Sequence, residues 1–221
     1  MAHWLPAVFP PETGRRELRA DAAIHALAMI ASAAAGTWLI GALDPAAPHI
    51  RAMLAIYVFA MAAMFVASAI YHGAPPGRLK RIAQKIDHAL IFAAIAGTFT
   101  PLLALRLAAP VGNILCLSAW AAAAIGIGMT IVTPCASGKQ GTAPYLVLAW
   151  AGLAVALPLG LALQPLTSGL IVGGCLIYTA GAGAYRARRF RYQSALWHAL
   201  VLVAASVHFA AMAVEFTAPA A

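Results

Sequence analysis

Seven long stretches of this chain contain almost no residue that water would hold, and each is close to the length that crosses a lipid bilayer. They run Ala22–Ala42, Ala52–Tyr71, Ala89–Leu105, Val111–Thr133, Tyr145–Leu163, Gly169–Tyr185 and Ala195–Phe216. An α-helix needs about 20 mainly apolar residues to span the hydrocarbon core. Backbone in lipid must satisfy its own N–H and C=O groups, which a helix does within one segment. The pattern therefore predicts an all-α integral membrane protein, a bundle of seven transmembrane helices over residues 21–221 behind a tail at 1–20. Composition agrees: 63% of the 221 residues are hydrophobic and 9% charged, with a mean hydropathy of +0.87, whereas a soluble domain carries roughly a quarter charged residues.

Helix terminators separate the runs: Asp44 and Pro45, then Pro75, Pro76 and Gly77, then Pro110, Pro134, Ser137, Gly138, Gln164 and Pro165. Pro101 and Pro158 fall inside runs, where packed neighbours can accommodate the kinks they are expected to cause. The first run, of about 21 residues, exceeds the apolar core of roughly 7–15 residues in a cleaved signal peptide, so it is read as a retained span.

The basic residues set the orientation. With seven spans, Arg15, Arg16 and Arg19 of the tail share one side with Arg78, Lys80, Arg81 and Lys85, with Lys139, and with Arg186, Arg188, Arg189 and Arg191. Only Arg51 and Arg106 fall on the other side. Short loops rich in Lys and Arg stay in the cytoplasm, which predicts a cytoplasmic amino terminus and an external carboxyl terminus in the cell membrane. The net charge of +8 is thereby explained by orientation and anionic headgroups; no groove-reading motif accompanies it, and no nucleic-acid partner is expected. Membrane lipid is the expected partner. Cys116, Cys135 and Cys175 are widely spaced and form no disulfide framework or thiolate metal motif.

Ionisable residues beside membrane spans are costly and call for an explanation. His25 near the start of the first helix, His72 at the end of the second, Asp87 and His88 at the third and His198 at the seventh all fall at the same end of the predicted bundle. Ser68 precedes His72 by four residues and shares its helix face. Imidazole, carboxylate and hydroxyl groups in this combination can bind zinc and activate water. The spacing equally admits histidines held at the headgroup level and Asp87 as an amino-terminal cap of the third helix. His3, His49 and His208 lie elsewhere in the predicted topology.

Three motifs point further. Ser68-Ala-Ile-Tyr-His72, then Lys85-Ile-Asp87-His88-Ala-Leu-Ile-Phe92 with Ala96-Gly-Thr-Phe-Thr-Pro101, and Trp197-His198 through Val207-His208-Phe209 resemble, in order, signatures of the hemolysin III and adiponectin/progestin receptor family. Asp21-Ala-Ala-Ile-His25 resembles a weaker form of its first-helix entry, where Asn and a Thr-His pair are usual. The resemblance implies a seven-helix bundle with zinc near the cytoplasmic end, bound by the second-helix histidine and a His-x-x-x-His pair on the seventh. It implies metal ligation by His72 and His198 and places Asp87 and Ser68 around the metal's water as catalytic groups. Ser194 stands where the first histidine of the pair belongs. Three outcomes follow: Asp87 binds the ion directly, His25 or His88 takes the vacant place, or the site is empty. The implied activity is a zinc-dependent, ceramidase-like hydrolysis of lipid amides. A non-enzymatic sensor or regulator of the membrane is the alternative, and a membrane-lytic role fits spans with so few charged residues least well.

Overall fold

The computed structural model describes residues 14–133, 141–156, 163–187 and 191–217. Pro134, Cys135, Ser137, Gly138, Lys139, Pro158, Arg188 and Arg189, named above, lie outside the described residues, as does His3. Among these residues seven helices follow one another: α1 Arg15–Ala42, α2 Pro48–Gly73, α3 Arg78–Arg106, α4 Val111–Val132, α5 Ala143–Ala156, α6 Pro165–Ala187 and α7 Gln193–Thr217. No strand occurs among the described residues. All but α5 are long and apolar enough to cross a membrane. At 22 to 29 residues and 1.5 Å rise per residue they reach about 33–44 Å, more than the roughly 30 Å hydrocarbon core.

Two helices begin well before their apolar runs. α1 starts at Arg15 rather than near residue 22, and α3 at Arg78 rather than 89. The early turns of α3 carry Leu79, Ile82 and Ile86 at helical spacing, all exposed, with Arg78, Lys80, Arg81 and Lys85 between them. Such a segment suits the headgroup boundary, where apolar and cationic side chains are both solvated. Gly77, the residue before α3, has φ 151°, a conformation that disfavours any side chain, so the Pro75-Pro76-Gly77 turn needs its glycine. Because α3 starts at Arg78, Asp87 lies in its third turn, and the capping role is excluded.

Helix α3 is the most enclosed of the seven, with an unbroken buried run from Ala96 to Leu103. It packs against α2, α4 and α5, while α7 packs against α6 and α1. Small residues permit these approaches. A Cβ on Gly97 of α3 would lie 2.8 Å from the Ala60 Cβ of α2, and one on Gly174 of α6 would strike the His208 ring of α7. Pro101 sits within continuous helix, preceded by Thr98 and Thr100, whose hydroxyls bond the carbonyls of Ala94 and Ala96 at 2.8 Å. Large apolar side chains such as Phe59, Leu117, Ile125 and Val132 point outward, as lipid-facing residues should.

The two ends of the bundle differ. Where α3 and α7 finish and α6 starts, Arg106 Nε lies 2.6 Å from Glu215 Oε1, the Gln164 N–H donates to Glu215 Oε2 at 3.2 Å, and the Arg106 guanidinium covers the Phe216 ring at 4.9 Å. At the other end the start of α1, the close of α2 and the start of α7 come together, and Asp21, His25, His72 and His198 collect there.

Candidate metal centre

Helical spacing places the polar side chains. Asp21 and His25 are four apart on α1 and share a face, as do Ser68 and His72 on α2. The first turns of α7 bring His198 against both pairs. Asp21, His25, His72 and His198 each offer a ligand atom, all within 4.8 Å of one another. The His25 and His72 rings stack at 5.1 Å between centroids, and the His198 ring meets them edge-on at 4.3 and 4.4 Å. Asp21, His25 and Ser68 are buried, while the His72 side chain retains 28% exposure at the mouth of the site.

The polar contacts are specific. His198 Nδ1 lies 2.7 Å from Asp21 Oδ1, and His72 Nδ1 lies 3.1 Å from Asp21 Oδ2. His25 donates from Nδ1 to the Asp21 carbonyl oxygen at 2.8 Å, and its Nε2 faces the Ser68 hydroxyl at 3.1 Å. Around this group, Tyr71 sets its ring edge against His72 at 4.6 Å and comes within 6.0 Å of His88, and Lys80 Nζ stands 5.4 Å over the Tyr71 ring.

Of the residues singled out by sequence, His72 and His198 are in the group, and Ser68 bonds one of its members. The third imidazole comes from His25 on α1; Ser194 lies one turn before His198, half-buried. Asp87 is not in the group. Its carboxylate pairs with its neighbour, Oδ2 to His88 Nδ1 at 3.2 Å. His208 is buried elsewhere, on the Ile171 carbonyl oxygen at 3.1 Å. Asp21 was missed as a site residue. Its signal was present, since it is one of six acidic residues in the chain and stands four before a histidine; at the head of an apolar run, however, it reads as an interfacial residue.

A cavity of about 90 Å³ opens deeper along the same three helices. Ser32 and Gly36 of α1, Tyr57 and Phe65 of α2, and Leu202 and Phe209 of α7 are among its walls. Phe65 stands three residues before Ser68 and Leu202 four after His198, so the cavity begins about one helical turn from the polar group.

These features define a helical membrane protein with a histidine and carboxylate group that can hold a metal ion. The Haemolysin-III related family matches residues 17–209, and the chain belongs to that family. The Hemolysin-3 homolog of Bacillus subtilis (strain 168) is 29% identical to it over 154 residues, covering 70% of this chain and 72% of the relative. Hemolysin-3 of Bacillus cereus is 27% identical over 154 residues, with 70% of each chain covered.

Proposed function

We propose that this chain is a zinc-dependent hydrolase of lipid amides in the cell membrane, with seven spanning helices, its amino terminus and metal centre on the cytoplasmic side and its carboxyl terminus external. The observation that carries this reading is the convergence of three imidazoles and a carboxylate from three helices beside an apolar cavity walled by those same helices. The donor set fits zinc, which takes histidine nitrogen and carboxylate oxygen. The buried Asp21 carboxylate also fits, because a buried charge needs a compensating partner. In this reading the 14-residue α5 is the seventh span, and the division of basic residues supports the orientation.

A zinc ion held there would supply Lewis acidity for polarising an amide carbonyl and ionising water near neutral pH. The chain's own residues do the rest. The cavity, at about 90 Å³, takes the first few methylenes of an acyl chain and keeps water from that part of the substrate. Ser68, one turn deeper than His72, presents its hydroxyl to the substrate's polar group. Asp87, backed by His88, accepts the proton. The test is hydrolysis of a fluorescent ceramide by the purified full chain. Activity that needs zinc and disappears in His72→Ala is expected. A zinc-loaded protein that leaves ceramide intact would retire the hydrolase in favour of a non-enzymatic metal protein. Reporter fusions placed after Ala221 should read as external; a cytoplasmic reading would overturn the orientation.

A further inference from the structure

The first turns of α3 carry two stripes that run side by side. Arg78, Arg81 and Lys85 recur at i, i+3 and i+7, and Leu79, Ile82 and Ile86 repeat that spacing one residue further on. One residue is about 100° of rotation, so the cationic stripe lies next to the apolar one along some 10 Å of helix. Arg78, Arg81 and all three aliphatic side chains are exposed, and Lys85 is half-buried. Lys85 donates from Nζ to the Ile131 carbonyl oxygen in the last turn of α4, which sets the cationic stripe beside the end of that helix, where Met129, Ile131 and Val132 are exposed as well. Asp87, the acidic residue of α3, lies nine positions after Arg78, half a turn round, and pairs with His88. The other acidic residues described are committed elsewhere: Glu17 to Arg191, Asp21 to the histidines and Glu215 to Arg106, while Asp44 lies in the turn between α1 and α2.

We propose that the start of α3, against the end of α4, is a binding site for one anionic phospholipid, with the phosphate on Arg78, Arg81 and Lys85 and the acyl chains along Leu79, Ile82 and Ile86. The pairing of the stripes chooses the occupant. A nucleic acid or an acidic peptide satisfies the cations but leaves the aliphatic stripe uncovered, and a zwitterionic lipid covers that stripe without bringing net negative charge. A lipid with a negative headgroup answers both. Each arginine can bond two phosphate oxygens through its planar fork, and Lys85 keeps two N–H groups after its bond to Ile131. The site shares no residue with the histidine group, so it stands or falls apart from the metal centre.

The test uses the purified, delipidated full chain in a neutral detergent, titrated with phosphatidylglycerol or phosphatidylcholine of the same acyl chains. Bound lipid is counted by mass spectrometry of the intact complex. One phosphatidylglycerol should be held in preference to phosphatidylcholine, by about fivefold per cation and on the order of 100-fold for three. This comparison needs no variant. Arg78→Gln/Arg81→Gln/Lys85→Gln should bind the two lipids equally, whereas Arg15→Gln/Arg16→Gln/Arg19→Gln, which removes the same charge from α1, should keep the wild-type preference. Equal retention of the two lipids by the wild type would overturn the proposal, as would an equal loss of preference in the α1 variant. Displacement of the lipid by excess glycerol 1-phosphate or by a polyglutamate peptide would also overturn it, in favour of a simple anion site or a protein partner.

Discussion

Replacing His25 by alanine separates the arrangement seen here from any site built on α2, α3 and α7 alone. His25 is 4% exposed and bonds both the Asp21 carbonyl and Ser68. Zinc sites with four protein ligands bind with roughly 10–16 kcal/mol, so one imidazole is worth about 3 kcal/mol, on the order of 100-fold in affinity. The cost to the fold is smaller. Ser68 can turn its hydroxyl to the carbonyl four residues back, and losing a neutral buried hydrogen bond costs about 1 kcal/mol. His25→Ala should therefore stay folded and release zinc to a chelator about 100 times weaker than one that strips the wild type. His88→Ala is the matched comparison, because His88 lies at the same end but pairs with Asp87. It should retain wild-type zinc affinity, measured by competition with a graded series of chelators. Wild-type retention in His25→Ala, or an equal loss in His88→Ala, would refute the assignment of the third imidazole to α1.

Other perturbations probe separate parts of the structure. Ser194→His adds an imidazole one turn before His198 and should raise zinc retention at least about tenfold; unchanged retention would mean that position 194 does not face the ion. Asp87→Asn should leave zinc content unchanged and lower ceramide hydrolysis roughly 10²- to 10⁴-fold, whereas loss of zinc would make Asp87 a ligand. Glu215→Ala removes the partner of Arg106 at the far end of the bundle and should cost about 2–3 kcal/mol in thermal unfolding with no change in zinc. An unchanged melting temperature would show that the clasp does not hold α3, α6 and α7 together.

Much of this was readable in the order of residues, and the misreadings have a common cause. Apolar runs mark where hydrocarbon begins, not where a helix does. α3 therefore seemed to start at 89, and Asp87 seemed to cap it, although Leu79, Ile82 and Ile86 already carried the helical period back to Arg78. His72 and His198 were visible because an ionisable residue in an apolar context stands out. Asp21 stood out less, since its partners are 51 and 177 positions away and only the packing of α1 against α2 and α7 brings them together. The same packing supplies a third imidazole although Ser194 stands on α7: His25 enters from a helix that local spacing on α7 cannot report.

In the proposed arrangement the start of α1, the end of α2 and the start of α7 form a metal centre. It is tested most directly by the metal content of the full chain, purified without chelator and supplied with zinc, beside the His72→Ala/His198→Ala double variant. One zinc per chain in the wild type and none in the double variant is the predicted result. A wild type that remains metal-free, or a double variant that holds as much zinc as the wild type, would contradict it.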